Sequence, residues 1–320
     1  MLPLKHAALA CFCALLSLSG PVSAKNFTGT AELVHQGTAH DIVYGISAGP
    51  RELIAVGTAG TLLRSSDGGS WKAERLETNG RALFSVASGE GYAVTVGQEG
   101  LIMRSDNTLE WEPVSAPTDQ RLFSVAVDGQ GNCAAVGGFG TIIVSRDKGV
   151  NWTSRAVDWQ SLIDQPYEPH IYKVIFDEKG RLLMVGEFGM IARSDDLGES
   201  WELLRKGDAS IFDITQTEDG TLYAVGQNGE VVRSTDDGSN WVQLATTTNG
   251  VLLNALVSQK SELIVFGLRE NLVNTSNTQD QLSILQAHSE LGNAWYTDNT
   301  AFGDSHYIVG QFGRIVKLSN

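Results

Sequence analysis

The chain has 320 residues and a formal charge of −14. Hydrophobic residues make up 42% of it, enough for a sizeable core, which excludes a disordered chain. The acidity comes with no basic stripe, which excludes a nucleic-acid binder and disfavours an anionic membrane surface.

Residues 1–24 read as a cleaved secretory signal peptide. Lys5 precedes the apolar run AALACFCALLSLSG, and Val22-Ser23-Ala24 supplies a small-residue site with cleavage after Ala24. Residues 25–320 are then expected to form one periplasmic or secreted domain. No membrane insertion is expected after cleavage, because no later apolar run is long enough to span. Cys11 and Cys13 leave with the leader. Cys133, in NCAAVG, is expected to pack in the core.

Val-Gly or Phe-Gly then recurs with its glycine at 57, 97, 137, 186, 226, 267 and 310, in steps of 40, 40, 49, 40, 41 and 43 residues. Such a period, built from short apolar segments, predicts an all-β fold: a seven-bladed β-propeller of four-stranded antiparallel blades. Each unit opens on an alternating run, as in IVYGIS, LFSVAS, LFSVAV, IYKVIF, IFDITQ and LLNALV. A second run ends in Val-Gly, a G-x-x-G hairpin follows, and its glycines are expected to take positive φ. A third strand (TLLRS, LIMRS, TIIVS, MIARS, EVVRS) leads through a polar turn to a Trp and the outer strand. The last unit ends at GRIVKLSN without an outer strand. Phe27 to Val34 is expected to supply it and so to close the ring by completing the last blade.

The polar turn reads S-x-D-x-G-x-x-W. It is complete around Asp147/Trp152, Asp196/Trp201 and Asp236/Trp241, and one residue shorter as Ser65-Asp67-Gly69-Trp71. At Ser105-Asn107-Trp111 the Asp and Gly are missing, and Asn274-Thr275-Ser276-Asn277 has lost the pattern. This is the Asp-box, or BNR repeat, found in sialidases and other propellers. Its chemistry predicts a strut: the carboxylate accepts backbone N–H groups two or more residues on, and the indole buries a flat area beneath the hairpin.

The longer phrase VGxxGxIxRSxDGGxxW resembles the photosystem II stability/assembly factor family, called Ycf48-like, across all of residues 25–320. The resemblance implies a seven-bladed, non-enzymatic assembly factor. It implies a protein client, membrane-embedded or of the cell envelope, and no cofactor. Members also occur in bacteria without photosynthesis, so photosystem II itself is not implied. That family carries an arginine cluster. The column one residue before the box Ser reads here Arg64, Arg104, Val144, Arg193, Arg233, Asn274 and Lys317. It is either a client-binding patch or a set of inter-blade pairs.

The 49-residue step adds a loop of about nine residues at roughly 153–170, on the face of the G-x-x-G turns. Trp159, Tyr167 and Glu168 of this loop are expected beside Phe139, Phe188 and Glu187 of the adjacent turns. They form either a partner-binding rim or a satellite core over the two phenylalanines. At the axis, Ser85, Ser124, Lys173, Asp213 and Asn254 are expected to line a polar channel, with Lys173 paired to Asp213.

An enzyme is not expected. A sialidase-like glycoside hydrolase is the alternative, and it needs a flanking carboxylate pair and convergent arginines. A small-ligand or glycan-binding propeller is the other. Histidine spacing suggests no metal site, and a monomer is expected.

Overall fold

A computed structural model describes residues 29–274, 281–285 and 290–319. Residues 1–28, with Cys11, Cys13 and Phe27, and Thr275 to Asn277 of the sixth unit lie outside the described residues.

Among the described residues there are seven four-stranded antiparallel sheets, arranged as the blades of one propeller. Innermost strands a to outermost strands d follow chain order in blades 1 to 6. Blade 1, for example, is Val43–Ala48, Leu53–Gly57, Thr61–Ser65 and Lys72–Arg75. Blade 7 takes Tyr296–Phe302, Ser305–Gly310 and Ile315–Ser319 from the end of the chain, and its outer strand is Thr30–His35 from the beginning. Thr30 stands opposite Ser319 and Leu33 opposite Val316, so first and last segments share a sheet and no blade edge is left between them.

The core is not central but divided among the blade interfaces. Each hydrophobic cluster joins two neighbouring blades; Ile54, Val56 and Leu62 of blade 1, for instance, pack on Leu83, Val86 and Met103 of blade 2. This is why strand b is apolar on both faces: Leu53 to Gly57 is fully buried, as are its counterparts in later blades. Cys133 belongs to this core, between blades 2 and 3, and burial pushes its thiol up to about 12.

The two glycines of the G-x-x-G turn do different jobs, and only one takes positive φ. The second (Gly60, Gly100, Gly140, Gly189, Gly229, Gly313) has φ between 59° and 73°. The first is extended, at φ −162° for Gly57. It is glycine because strand a's backbone lies against it: a Cβ on Gly137 would sit 1.9 Å from the Arg121 carbonyl oxygen, and one on Gly310 2.0 Å from that of Trp295.

The Ser-x-Asp turns are struts. Asp236 Oδ1 accepts the Asn240 N–H (2.8 Å) and the Ser234 hydroxyl (2.9 Å), and Ser234 Oγ accepts the Gly238 N–H (2.9 Å). Asp147 and Asp196 repeat the pattern. Two details differ from expectation. In the short turn the glycine bonded to Ser65 is Gly68 (φ 72°), not Gly69. In blade 2 the turn survives without Asp, because the Asn107 amide oxygen accepts the N–H groups of Leu109 and Glu110, both at 2.9 Å. Trp71, Trp111, Trp152, Trp201 and Trp241 each pack into the cluster shared with the preceding blade.

Candidate functional site on the channel-mouth face

Strands alternate in direction, so the b–c turns and d–a loops share one face. The longest d–a loop, between blades 3 and 4, folds into a short helix α1 (Trp159–Ile163) capped by Asp158, whose carboxylate accepts the Ser161 N–H and hydroxyl. The helix turns Trp159 inward. At 8% exposure it fills the interface of blades 3 and 4 with Ile142, Ile171 and Met190, pressed on Gly140. Phe188 packs against the same cluster. Trp159 is therefore cover rather than contact surface, because the turn glycine beneath it leaves room for an indole.

The other half of the predicted rim faces solvent. Phe139 is 60% exposed and Tyr167 69%, and Glu168 is exposed too. The loop is strapped down between the two turns: Gly140 N–H donates to the Pro169 carbonyl (2.7 Å), and His170 N–H donates to Glu187 Oε2 (2.8 Å). His170 Nδ1 accepts the Phe139 N–H at 3.1 Å while its ring meets Phe139 edge-on at 4.8 Å. Glu187 and Asp158 are thus engaged in holding the loop, so two of the rim carboxylates serve structure.

The aromatic surface does not stop at the rim. His170 lies 6.2 Å from Phe123 and 6.4 Å from Tyr172, and these belong to an arc around the channel mouth that composition and repeat spacing did not single out. Tyr44, Phe84, Phe123, Tyr172 and Phe212 follow one another across blades 1 to 5, with ring centroids 4.9 to 6.2 Å apart. Each is the second residue of its strand a, and each sits where the a–b register slips. The irregularity re-aims the side chain toward the mouth. The signal was visible as an aromatic second letter in VYGISA, LFSVAS, LFSVAV, IYKVIF and IFDITQ.

The third residue of strand a was expected to line the channel. Most of these positions instead bridge blades. Ser85 Oγ accepts the Val125 N–H (3.2 Å), Ser124 Oγ that of Val174 (3.2 Å), Asp213 Oδ2 that of Ala255 (2.9 Å) and Asp298 Oδ2 that of Ile46 (3.0 Å). Each satisfies an inner-edge N–H of the next blade, which is why Ser85, Ser124, Asp213 and Asp298 are buried. Lys173 departs from this pattern. It has no acceptor to offer and reaches across the channel to Asp298 Oδ1 at 2.7 Å, with Asp213 Oδ1 at 3.6 Å. The expected Lys173–Asp213 pair is therefore the looser arm of a triad. Burial opposes the ammonium charge, but the two carboxylates outweigh it and hold Lys173 protonated. Burial raises the Asp213 carboxyl to about 6. The triad divides the channel into an aromatic chamber of about 200 Å³ at the mouth and a polar one of about 390 Å³ below.

The arginine column lies on the opposite face, and two of its cations, Arg104 and Arg193, bond across to the next blade. Arg104 Nε donates to the Lys148 carbonyl (2.6 Å), and Arg193 Nη1 to that of Asp237 (3.1 Å), each in the next blade's polar turn. Where the column reads Val144, Arg155 from strand d's end donates to the equivalent Leu197 carbonyl (3.4 Å). Arg64 pairs with Glu74 and Glu52. Arg233 lies by the Tyr223 hydroxyl at a cavity of about 840 Å³. Lys317 stands opposite Glu32 and Tyr307.

The ring is similar in fold to solved YCF48 propellers. A YCF48 structure bound to a D1 peptide matches it with a TM-score of 0.74 at 18% identity, over 95% of this chain and 100% of that one. YCF48 from Cyanidioschyzon merolae matches with 0.72 at 16% identity, over 90% and 98%. The virginiamycin B lyase of Staphylococcus aureus also matches, with 0.74 at 15% identity, over 91% and 99%. No family model matches the chain, and no curated protein matches it significantly. At these identities the likeness is one of fold, and that fold carries both a peptide-bound YCF48 and a lyase; function lives in the side chains placed on it.

Proposed function

We propose that this protein is a non-enzymatic, periplasmic or secreted propeller that binds a protein client, as an assembly or accessory factor for a membrane or envelope complex. The leader-like residues 1–24 motivate the location, and the Asp-box phrase the assembly role. The observation that carries client binding is the pair Phe139 and Tyr167. Two large apolar side chains stand 60% and 69% exposed, one on the blade 3 turn and one on the loop hydrogen-bonded to it, which is the character of an aromatic anchor. The same ring in YCF48 has been solved with a peptide bound.

The test is affinity capture from gently solubilised envelope, comparing the native chain with a Phe139→Ala/Tyr167→Ala variant of unchanged thermal midpoint. A membrane-protein client lost in the variant supports the reading. Equal capture by both overturns the rim as the contact. Turnover of a glycan by the native chain would favour an enzyme instead.

A further inference from the structure

The aromatic chamber at the channel mouth has a chemistry that client binding at Phe139 and Tyr167 does not use. Five rings on consecutive blades line it, and its floor is the Lys173–Asp298–Asp213 triad. We propose that this chamber is a binding site for an organic cation, an alkylammonium or guanidinium group, held by the ring faces above and the carboxylates below.

Three observations lead there. First, the floor is unbalanced: two carboxylates face one ammonium. Asp298 accepts Lys173 and the Ile46 N–H, one on each oxygen; Asp213 accepts the Asn254 amide and the Ala255 N–H on Oδ2, and its Oδ1 meets Lys173 at 3.6 Å, beyond hydrogen-bond length. A third carboxylate, Glu187, lies close enough to Tyr172 to help raise its phenol. Second, five rings line the cavity, and successive ones are tilted by 30° to 82° to one another. Aromatic faces carry negative quadrupole density, and several around one space attract a cation more strongly than a neutral group of the same shape. Third, about 200 Å³ suits a quaternary ammonium head or the end of a lysine or arginine side chain, and falls short of the roughly 300 Å³ where drug-sized pockets begin. The site is independent of the client reading: a free amine and a peptide-borne side chain present the same group.

Isothermal titration calorimetry on the purified chain tests this. The probes are choline, its neutral isostere 3,3-dimethylbutan-1-ol, acetate, and the blocked amino acids N-acetyl-lysine methylamide and N-acetyl-arginine methylamide. The expected result is that a cation binds at least about tenfold more tightly than the isostere. Phe84→Leu and Tyr172→Leu should each weaken it by about five- to thirtyfold. Preference for choline or for the blocked amino acids tells a free amine from a peptide side chain. Equal binding of the isostere, binding of acetate instead, no binding by any probe, or cation binding indifferent to both substitutions would each overturn the proposal. Should the leucine variants fail to fold, nuclear Overhauser contacts between choline methyl protons and ring protons of the native chain decide: contacts to the rings support the site, and their absence in bound choline sinks it.

Discussion

Arg104 Nε donates to the backbone carbonyl of Lys148 across the boundary between blades 2 and 3, at 2.6 Å. The carbonyl belongs to a residue with φ 61°, inside the polar turn, so no strand partner is available to it. Arg193 treats Asp237 in the same way, and Arg155 takes over for Val144 with Leu197. We expect Arg104→Ala to cost about 1–3 kcal/mol in chemical denaturation, since it orphans this carbonyl. Arg104→Lys should recover little of it, because the planar fork that also reaches Asp106 is lost. Full recovery by lysine would mean the charge alone matters.

Gly137 and Gly180 give a sharp contrast. Gly180 has φ 75° but open space around its missing Cβ, whereas Gly137 has a carbonyl oxygen 1.9 Å from where that atom would be. Gly180→Ala is therefore expected to cost about 1 kcal/mol. Gly137→Ala should cost about 3 kcal/mol or more, or leave no folded protein. Comparable denaturation midpoints for the two would refute close approach as the reason for the first turn glycine.

Trp159→Ala should destabilise the chain by about 3–5 kcal/mol through the cavity it opens between blades 3 and 4. Phe139→Ala and Tyr167→Ala, both at exposed sites, should stay within about 0.5 kcal/mol. Thermal scans of the three variants separate cover from contact surface before any client is known.

The polar turns make a pH prediction. Backbone N–H groups of Ser70 and Gly69 hold the Asp67 carboxyl down at about 2, against an ordinary 3.8. A depressed carboxyl binds fewer protons folded than unfolded. Its stabilisation is full above pH 3.8 and fades as the pH falls through about 2. The gap in thermal midpoint between the native chain and Asp67→Asn should thus be widest near neutral pH and shrink in acid. A gap that grew on acidification would contradict the turn geometry.

Lys173→Met removes the only cation from the channel triad and leaves Asp213 and Asp298 facing each other without it. A loss of about 3–5 kcal/mol is expected at neutral pH. Adding Asp213→Asn should restore part of it, measurable as a rise in urea midpoint over the single variant. No rescue would mean that the lysine acts by packing.

Much of this protein was legible in the chain as written. The Val-Gly period set the blade count, because each blade must bury both faces of strand b against its neighbours and so repeats one apolar grammar. The Ser-x-Asp turns were legible as struts for a local reason: every bond Asp236 makes lies within four residues of it. What the tertiary structure alone decided was direction. Whether Trp159 faces in or out depends on the room left by Gly140, a residue on another turn. Whether Ser85 lines the channel or bridges to Val125 depends on the next blade's unpaired N–H. The aromatic arc needs a slip in register that turns the second residue of strand a toward the mouth, and no spacing of letters shows such a slip. The Lys173–Asp298 contact joins residues 125 apart in the chain, and only ring closure brings them within 2.7 Å.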